Sequence, residues 1–192
     1  MAEQDHSGTQ SFHWNIRQSA AVDVPRLKEL GVAGWETTYA EFVRPENRAL
    51  YLDGAFWSLA QLERIVRDPA SLALVADDGT GLVSGFLTVE PIPDNRVELT
   101  RFYVDPTLRR SGIGSALFSA ALDQSRTTGA RSMLVNVFAD NLVGRSFYER
   151  AGFQLTSLEP TIVGDQAVGD AWYELDLHRR DARSDTRSDL EP

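Results

Sequence analysis

Residues 97–115 read VELTRFYVDPTLRRSGIGS, and this stretch carries the strongest structural signal in the sequence. Its first half is rich in β-branched and aromatic residues, which predicts a strand over residues 97–104. Its second half contains Gly112-Ile113-Gly114, after which apolar residues recur at helical spacing. The stretch therefore predicts a strand, a glycine-rich turn and a helix in direct succession.

A turn of this kind is suited to binding an anion. Glycines let the backbone N–H groups of residues 109–115 point into one concavity, and the start of a helix adds partial positive charge. Arg109 and Arg110 either add charge for a phosphate or face solvent. Other nucleotide motifs fit less well, because G-x-G-x-x-G requires a glycine at Leu117 and a Walker loop requires Gly-Lys-Ser/Thr. A G-x-G turn by itself is a weak signal, since it often marks only the start of a helix.

Outside this stretch, the hydrophobic period alternates between two and about 3.6 residues. Strand-like runs cover residues 11–17, 71–76, 82–89, 97–104, 133–137, 153–156 and 171–177. Helical patterns lie between the first two strands, after Gly112 and over residues 141–151. This order predicts an α/β (α+β) fold, with a mixed, mostly antiparallel sheet of six to seven strands flanked by helices.

Capping residues place the helix starts. Asp23 is expected to cap the first helix, and Ser58 a helix with the apolar stripe Leu59, Leu62, Ile65 and Val66. Asp140 or Asn141 is expected to cap a helix that buries Val143, Phe147 and Ala151 and ends at Gly152.

Length and composition limit the function classes. At 192 residues with 42% hydrophobic residues, the chain fits one domain. Residues 1–11 and 179–192 are polar and aperiodic, so we expect a disordered leader and a flexible charged tail around a domain at 12–178. No apolar run approaches the ~18 residues of a membrane span, and the first ten residues do not resemble a signal peptide. We therefore expect a cytoplasmic protein without a membrane partner.

Charge and residue counts exclude further classes. The net charge of −9 argues against a nucleic-acid partner and is favourable for a cationic substrate. With no cysteine, disulfides, thiolate metal sites and a cysteine nucleophile are excluded. The three histidines, His6, His13 and His178, lack ligand spacing, so no metal is expected.

Residues 97–114, together with Asn141 and the segment Ser146–Phe153 (SFYERAGF), resemble the GNAT (Gcn5-related) N-acetyltransferase superfamily. The shared pattern is Arg-x-x-Gly-x-Gly after a strand, then Asn seven residues before the Tyr of Phe-Tyr-Glu, then Gly-Phe. Gly144 departs from the family, in which alanine is more common, and should loosen that helix slightly. The resemblance covers about residues 12–178 and implies a GNAT fold whose sheet has a central splay.

The resemblance also implies an acyltransferase activity with acetyl-CoA as cosubstrate. Backbone groups of Phe102, Tyr103 and Val104 would bind the pantetheine arm. The pyrophosphate would lie on the turn formed by Arg109, Arg110, Ser111, Gly112, Ile113, Gly114 and Ser115. Asn141 matches a position that contacts the cofactor arm or an ordered water. Tyr148 matches the general acid beside the thioester sulfur. Glu98 lies where some members carry a general base, and is otherwise a solvated or substrate-binding charge.

These residue types suit amine acetylation. An alkylammonium has a pKa near ~10.4 and must lose a proton before it attacks. A carboxylate with a pKa of ~4.3 would act through water, or with its pKa raised by burial. A phenol with a pKa of ~10 can protonate a departing thiolate, whose pKa is near ~8.5. Since no cysteine can carry the acetyl group, we expect direct transfer in a ternary complex.

The acceptor is less well determined by the sequence. Residues 37–63 and 163–170 resemble bacterial spermidine/spermine N-acetyltransferases, which implies a polyamine acceptor. The expected substrate residues are Trp35, Tyr39 and Glu98, in a cleft with Trp57, Glu36, Glu41 and Asp53. Alternatively, these aromatic residues belong to the helix core. A protein N-terminal or other small-amine acetyltransferase, and a non-catalytic acetyl-CoA-binding regulatory module, stay open as alternatives. Many family members are dimers, so a homodimer is considered by analogy.

Overall fold

The computed structural model describes residues 14–178, so the expected leader and tail, as well as His6 and His13, lie outside the described part. The elements are β1 (Asn15–Gln18), α1 (Val24–Tyr39), α2 (Pro45–Leu52), α3 (Leu59–Arg67), β2 (Leu72–Asp77), β3 (Val83–Ile92), β4 (Arg96–Val104), α4 (Ile113–Thr127), β5 (Ser132–Phe138), α5 (Leu142–Arg150), β6 (Gln154–Val163) and β7 (Gln166–Asp176). Short 3₁₀ turns lie at Ala21–Asp23, Ala55–Trp57 and Pro106–Leu108. Between residues 14 and 178, no helix is long and apolar enough to cross a bilayer.

The seven strands form one sheet in the order β1-β2-β3-β4-β5-β7-β6. Every neighbouring pair is antiparallel except β4 and β5, which are parallel. Two hydrophobic cores cover the two faces. The first joins α1 and α3 to residues such as Val75 and Phe86, and the second joins α4 and α5 to residues such as Leu87 and Val135. The predicted α/β fold, with helices on both faces of a mixed sheet, is confirmed.

The sheet opens at its centre, between β4 and β5. Their pairing runs from Arg96↔Ser132 to Leu99↔Val135 and then ends. Beyond this point β4 pairs only with β3, and β5 pairs only with β7. The register between β3 and β4 shifts at the same place and leaves Thr100 as an extra residue. Because such a bulge bends a strand and increases its twist, it accounts for the separation of β4 from β5. We call the opening beyond Leu99 and Val135 the gap.

Several local expectations need correction. Ser58 caps α3 as predicted, with its Oγ accepting from Gln61 N at 3.2 Å. Leu59, however, is 49% exposed and Val143 is 81% exposed, so neither belongs to its predicted buried face. The reason at α5 is geometric, because this nine-residue helix turns Phe147 and Tyr148 toward the core instead. Asp23 precedes α1, but its carboxylate accepts from Ala20 N and pairs with Arg17 rather than capping that helix.

Trp57 lies in the core and not in a cleft, which also corrects the expectation for this residue. Its side chain is completely buried, against the backbone of α1 at Gly31. A Cβ at Gly31 would lie 2.0 Å from Trp57 Cζ3. The glycine is therefore required by the close approach of the indole to the helix.

The substitution Gly31→Ala is expected to lower the free energy of unfolding by about 2 kcal/mol, because the core has no space for the added methyl group. Alanine is otherwise the better helix former by about 1 kcal/mol, so a net loss would identify the steric effect. Urea denaturation measures the difference. Ala33→Gln, at an exposed position of the same helix, is the control and should leave stability unchanged. A Gly31→Ala protein as stable as the wild type would contradict the packing described.

Candidate active site

The turn between β4 and α4 is held in place by contacts from distant residues. Trp14 Nε1 donates to the Ser111 carbonyl at 2.9 Å, and Ser111 Oγ donates to the Leu108 carbonyl at 2.7 Å. Arg110 and Gly112 both adopt left-handed backbone conformations, with φ of 67° and 87°. A glycine is favoured at Gly112 because side chains are strained at such an angle. The turn is thus a fixed and unusual backbone shape at the start of α4.

This turn presents free backbone donors. The first i→i−4 bond of α4 runs from Ala116 N to the Gly112 carbonyl at 3.0 Å, so the amides of Ile113, Gly114 and Ser115 precede the helical ladder. Ile113 buries its side chain in the core. At Gly114, a Cβ would meet the protein only at ordinary van der Waals distance, 3.5 Å from Phe102 Cζ. Packing therefore does not require a glycine there, which fits a surface that a ligand approaches closely.

Two cations stand beside these donors. Arg109 and Arg110 are both exposed. Within residues 14–178, neither arginine takes part in an ion pair. The free amides, the helix N-terminus and the two arginines together can hold a diphosphate.

The β4 edge of the gap also carries unpaired backbone groups. Asp105 N donates to the Ser84 carbonyl on β3, and backbone direction alternates along a strand. The amides of Phe102 and Val104 therefore point toward the gap, whereas that of Tyr103 points toward β3. Of these three residues, Tyr103 can contribute through its side chain, and the other two through their main chain. An extended ligand lying in the gap could pair with them as a strand does.

Tyr148 reaches the gap from α5 on the other face. Its side chain is only 8% exposed, and its ring packs 5.3 Å from Phe147 and 5.4 Å from Phe153 between centroids. Burial, with a smaller contribution from Tyr39, raises the pKa of Tyr148 well above its usual value. Tyr39 packs against the core on the opposite face of the sheet. The electrostatic interaction between the two hydroxyls therefore acts through the opening in the sheet. A phenol in this state is protonated at neutral pH and available as a proton donor.

Asn141 has a structural task beside the gap. Its Oδ1 accepts from Gly144 N at 2.9 Å and caps α5, the helix that carries Tyr148. A Cβ at residue 144 would lie 2.7 Å from Asn141 Nδ2, so glycine leaves room for the cap. The Asn141 amide also favours the ionised form of the Tyr39 hydroxyl and so opposes the rise in the pKa of Tyr39 to about 12 that burial causes.

Glu98 lies on β4, two residues before the bulge, and faces the α1–α3 side. Its cross-strand partner is Glu90. Glu90 forms ion pairs with Arg64 at 2.8 Å and Arg101 at 3.4 Å, and it accepts a hydrogen bond from Thr100 Oγ1 at 2.8 Å. Glu98 receives no hydrogen bond from any described residue. Burial and the charge of Glu90 both raise the pKa of Glu98, which makes this carboxylate a better base.

Arg101 is a functional-site neighbour that the sequence did not identify. Its side chain is fully buried, and its guanidinium lies 3.7 Å over the Phe56 ring while donating to the Phe56 carbonyl at 2.7 Å. The one available signal was a charged residue inside an apolar strand. Arg101 connects the turn before α3 to β4 and stabilises the negative charge of Glu90 through an ion pair.

Aromatic rings line the α1 side of the gap. Trp35 stacks on Tyr51 at 4.3 Å and contacts Tyr39 at 4.4 Å, and Tyr39 lies 5.2 Å from Phe138 at the end of β5. Trp35 is nearly buried, whereas Tyr39 and Tyr51 are partly exposed. Trp35 and Tyr39, two of the predicted substrate residues, are thus brought close to the gap.

The acidic residues of the predicted cleft behave differently. Glu36 pairs with Arg48 at 2.9 Å, and Glu41 and Asp53 are exposed. The carboxylate that does approach the aromatic rings is Asp170 of β7, whose charge raises the pKa of both Tyr39 and Tyr51. The sequence placed Asp170 only within a loosely similar segment. In the part of the chain that is described, no three His, Cys, Asp or Glu side chains are grouped as metal ligands.

A clasp, formed by the β6–β7 turn and the start of α2, joins two distant segments beside this cleft. Gln166 accepts from Arg44 N at 2.9 Å and donates to the Phe42 carbonyl at 2.7 Å. Asp165 accepts from Asn47 at 3.1 Å and pairs with Arg44. The clasp therefore holds the start of β7 against the segment between α1 and α2 and the start of α2.

Comparison with known proteins agrees with this geometry. The sequence profile of the acetyltransferase (GNAT) family matches residues 35–153. Spermidine N(1)-acetyltransferase of Thermoplasma acidophilum is 27% identical over 142 residues, which cover 73% of this chain and 88% of the relative. Mycothiol acetyltransferase of Clavibacter sepedonicus is 37% identical over 87 residues, which cover 45% of this chain and only 28% of that longer protein.

Solved structures show the same fold. PaiA N-acetyltransferase from Thermoplasma acidophilum in complex with coenzyme A superposes with a TM-score of 0.74 at 25% identity, covering 85% of this chain and 99% of that one. YncA from Salmonella typhimurium with acetyl-CoA gives 0.65 at 20% identity, covering 88% and 97%. Because the family profile spans more than half of the chain, including the turn, the gap and Tyr148, this protein belongs to the acetyltransferase (GNAT) family of N-acetyltransferases.

Proposed function

We propose that this N-acetyltransferase moves the acetyl group of acetyl-CoA to a primary amine by direct attack in a ternary complex, and that the acceptor is a polyamine such as spermidine or spermine. The observation that carries the proposal is the gap between β4 and β5, with an anion-binding turn beyond the end of β4 and a buried phenol beside it. The acetyl-CoA or coenzyme A named for two structural neighbours supports this donor.

Each part of acetyl-CoA would have binding partners around the gap. The pyrophosphate would accept hydrogen bonds from the amides of Ile113, Gly114 and Ser115, with Arg109 and Arg110 balancing its charge. The pantetheine arm would extend along β4 and pair with the amide of Val104, which leaves the amide of Phe102 for the thioester carbonyl. This arrangement brings the thioester toward Tyr148. Asn141 would act here mainly through its cap, which orients α5.

The transfer then needs three proton movements. Glu98, acting through water, accepts the proton that the alkylammonium loses, and the free amine attacks the thioester carbonyl. A β4 amide at Phe102 stabilises the negative charge that develops on the carbonyl oxygen. As the C–S bond breaks, Tyr148 donates its proton to the sulfur. The second proton of the acetylated nitrogen then leaves through water and restores the phenol. Burial keeps the Tyr148 phenol protonated, so its proton is available when the thiolate forms.

The polyamine assignment rests on two supports. The relative named spermidine N(1)-acetyltransferase aligns over most of both chains. The α1 side of the gap, where the acceptor would bind, also combines aromatic rings with the poorly neutralised carboxylate of Asp170. This combination suits a flexible polycation. A non-catalytic binding module would need neither a carboxylate whose raised pKa makes it a better base nor a phenol that burial keeps protonated.

Acetyl-CoA consumption with a panel of amines tests the function directly. We expect thiol release with spermidine and spermine, weaker release with simple primary amines, and little with peptides that carry a free N-terminus. The measurement is the rate of coenzyme A release at equal acceptor concentrations. Tight coenzyme A binding without release for any amine would instead support the regulatory module. Faster release with peptides would support an N-terminal acetyltransferase.

The variant Tyr148→Phe should lower kcat by about 100-fold, because the departing sulfur loses its proton donor. The affinity for acetyl-CoA should stay unchanged, since the hydroxyl makes no contact that holds the pantetheine arm. Steady-state kinetics and calorimetric binding separate the two effects. Tyr173→Phe is the matched control, because the Tyr173 hydroxyl bonds Glu149 and Arg145 outside the gap. Equal kcat values for the Tyr148→Phe and wild-type proteins would exclude Tyr148 as the acid.

The variant Glu98→Gln tests the base through the pH dependence of the rate. Only the ionised carboxylate accepts a proton, so the wild-type rate should rise with pH through the raised pKa of Glu98. In Glu98→Gln this rising limb should disappear, and the plateau should fall by about 100-fold. Rates measured between pH 4.5 and 9 at saturating acetyl-CoA report both effects. Glu63→Gln, at a surface pair with Arg67, is the control. A normal acid limb in Glu98→Gln would remove Glu98 as the base.

A further inference from the structure

Asp170 is a partly buried acidic group without a partner for one of its oxygens. It lies on β7, opposite Phe138 of β5 and Glu159 of β6. Its Oδ1 is enclosed and accepts no hydrogen bond from the described residues. The residue as a whole is only half-buried, so part of Asp170 is still accessible to solvent. A poorly solvated carboxylate of this kind is costly unless a positive donor approaches it.

Residues 14–178 supply no such cation. No ion pair within this range includes Asp170, and the nearby charge is that of another acid, Glu159. The arginines around the cleft are already engaged, Arg44 with Asp165 and Arg101 with Glu90 and the Phe56 carbonyl. The side chains of Asn136 and Thr161 offset part of the cost but carry no charge. The positive partner is therefore expected to come from outside the chain.

The position of Asp170 connects it to the reaction centre. Its charge acts on the hydroxyls of Tyr39 and Tyr51, and Tyr39 in turn acts on the hydroxyl of Tyr148. The aromatic rings of Trp35, Phe42 and Phe138 surround Tyr39. Asp170 is the cross-strand partner of Phe138, whose ring lies 5.2 Å from that of Tyr39, so Asp170 lies on the same side of the sheet as these aromatic rings.

We infer that Asp170 binds a second, protonated nitrogen of the acceptor while the reacting amine lies at the gap, and so selects diamines and polyamines over monoamines. The inference rests on the proposed acetyltransferase function. The reacting nitrogen must be neutral to attack, whereas a nitrogen farther along the acceptor keeps its charge and can pair with the carboxylate. The faces of Tyr39 and Tyr51 add cation–π attraction for the same ammonium. Asp170 is therefore a specificity residue rather than a participant in proton transfer.

The test compares Asp170→Asn with the full-length wild type on two acceptors, spermidine and butylamine, at saturating acetyl-CoA. We expect kcat/KM for spermidine to fall by about 10-fold or more, mainly through KM, as expected for the loss of a charge-assisted hydrogen bond. For butylamine the change should stay below about twofold, since a monoamine has no second ammonium. Asp123→Asn, an exposed position on α4 that changes the net charge equally, should alter neither acceptor.

Thermal unfolding separates a role of Asp170 in specificity from a role in stability. The amide relieves an uncompensated buried charge, so Asp170→Asn should unfold at the same or a higher temperature than the wild type. A lower unfolding temperature, or an equal loss of kcat/KM for both amines, would overturn the specificity role. Unchanged spermidine kinetics in Asp170→Asn would also overturn it while leaving the proposed function intact. Failure of the wild type to acetylate any amine would reject the proposed function itself.

Discussion

The parallel pairing between β4 and β5 stops after Leu99 and Val135, and the candidate site depends on this interruption. A sheet that stayed paired along its full length would satisfy its own backbone groups and separate its two faces completely. Here the bulge at Thr100 turns β4 away, leaves main-chain donors without partners and opens a passage between two cores. Tyr148, held by the α4–α5 core, can then interact with Tyr39, which belongs to the α1–α3 core.

The charges around the gap are arranged unequally. Glu90 is bound by two arginines and a threonine, so it acts as a fixed anion that balances the buried Arg101. Glu98 and Asp170 receive no comparable neutralisation, and burial raises the pKa of each. Because an unneutralised buried carboxylate lowers stability, these two positions are better explained by interaction with a ligand or a proton than by the fold. The structure thus separates acids that support the sheet from acids that remain available.

The sequence predicted features whose causes are local and missed those that depend on distant contacts. The strand, turn and helix of residues 97–127 follow from the hydrophobic periodicity and the positions of the glycines. The start of α3 at Ser58 follows from the preference for serine as an N-cap. The splay required the family resemblance, because no single segment encodes the end of a strand pairing. Trp57 and Asp170 could not be assigned, since an aromatic ring or a carboxylate looks the same in the sequence whether it is packed, paired or free.

The close approach of α1 to the sheet determines what the acceptor meets. Gly31 admits the Trp57 ring against the helix, and a Cβ at Gly34 would lie 2.5 Å from Tyr103 Cδ1. Two glycines three residues apart thus let one face of α1 lie directly on β4 and the turn before α3. Trp35 and Tyr39, the next residues along that face, then extend toward the gap. The clasp holds the other wall, β7, to the segment that follows α1. The spacing between Tyr39 and Asp170 is therefore fixed by contacts far from the reacting atoms, so changes at Gly34 or Gln166 should affect acceptor choice before they affect acetyl-CoA binding.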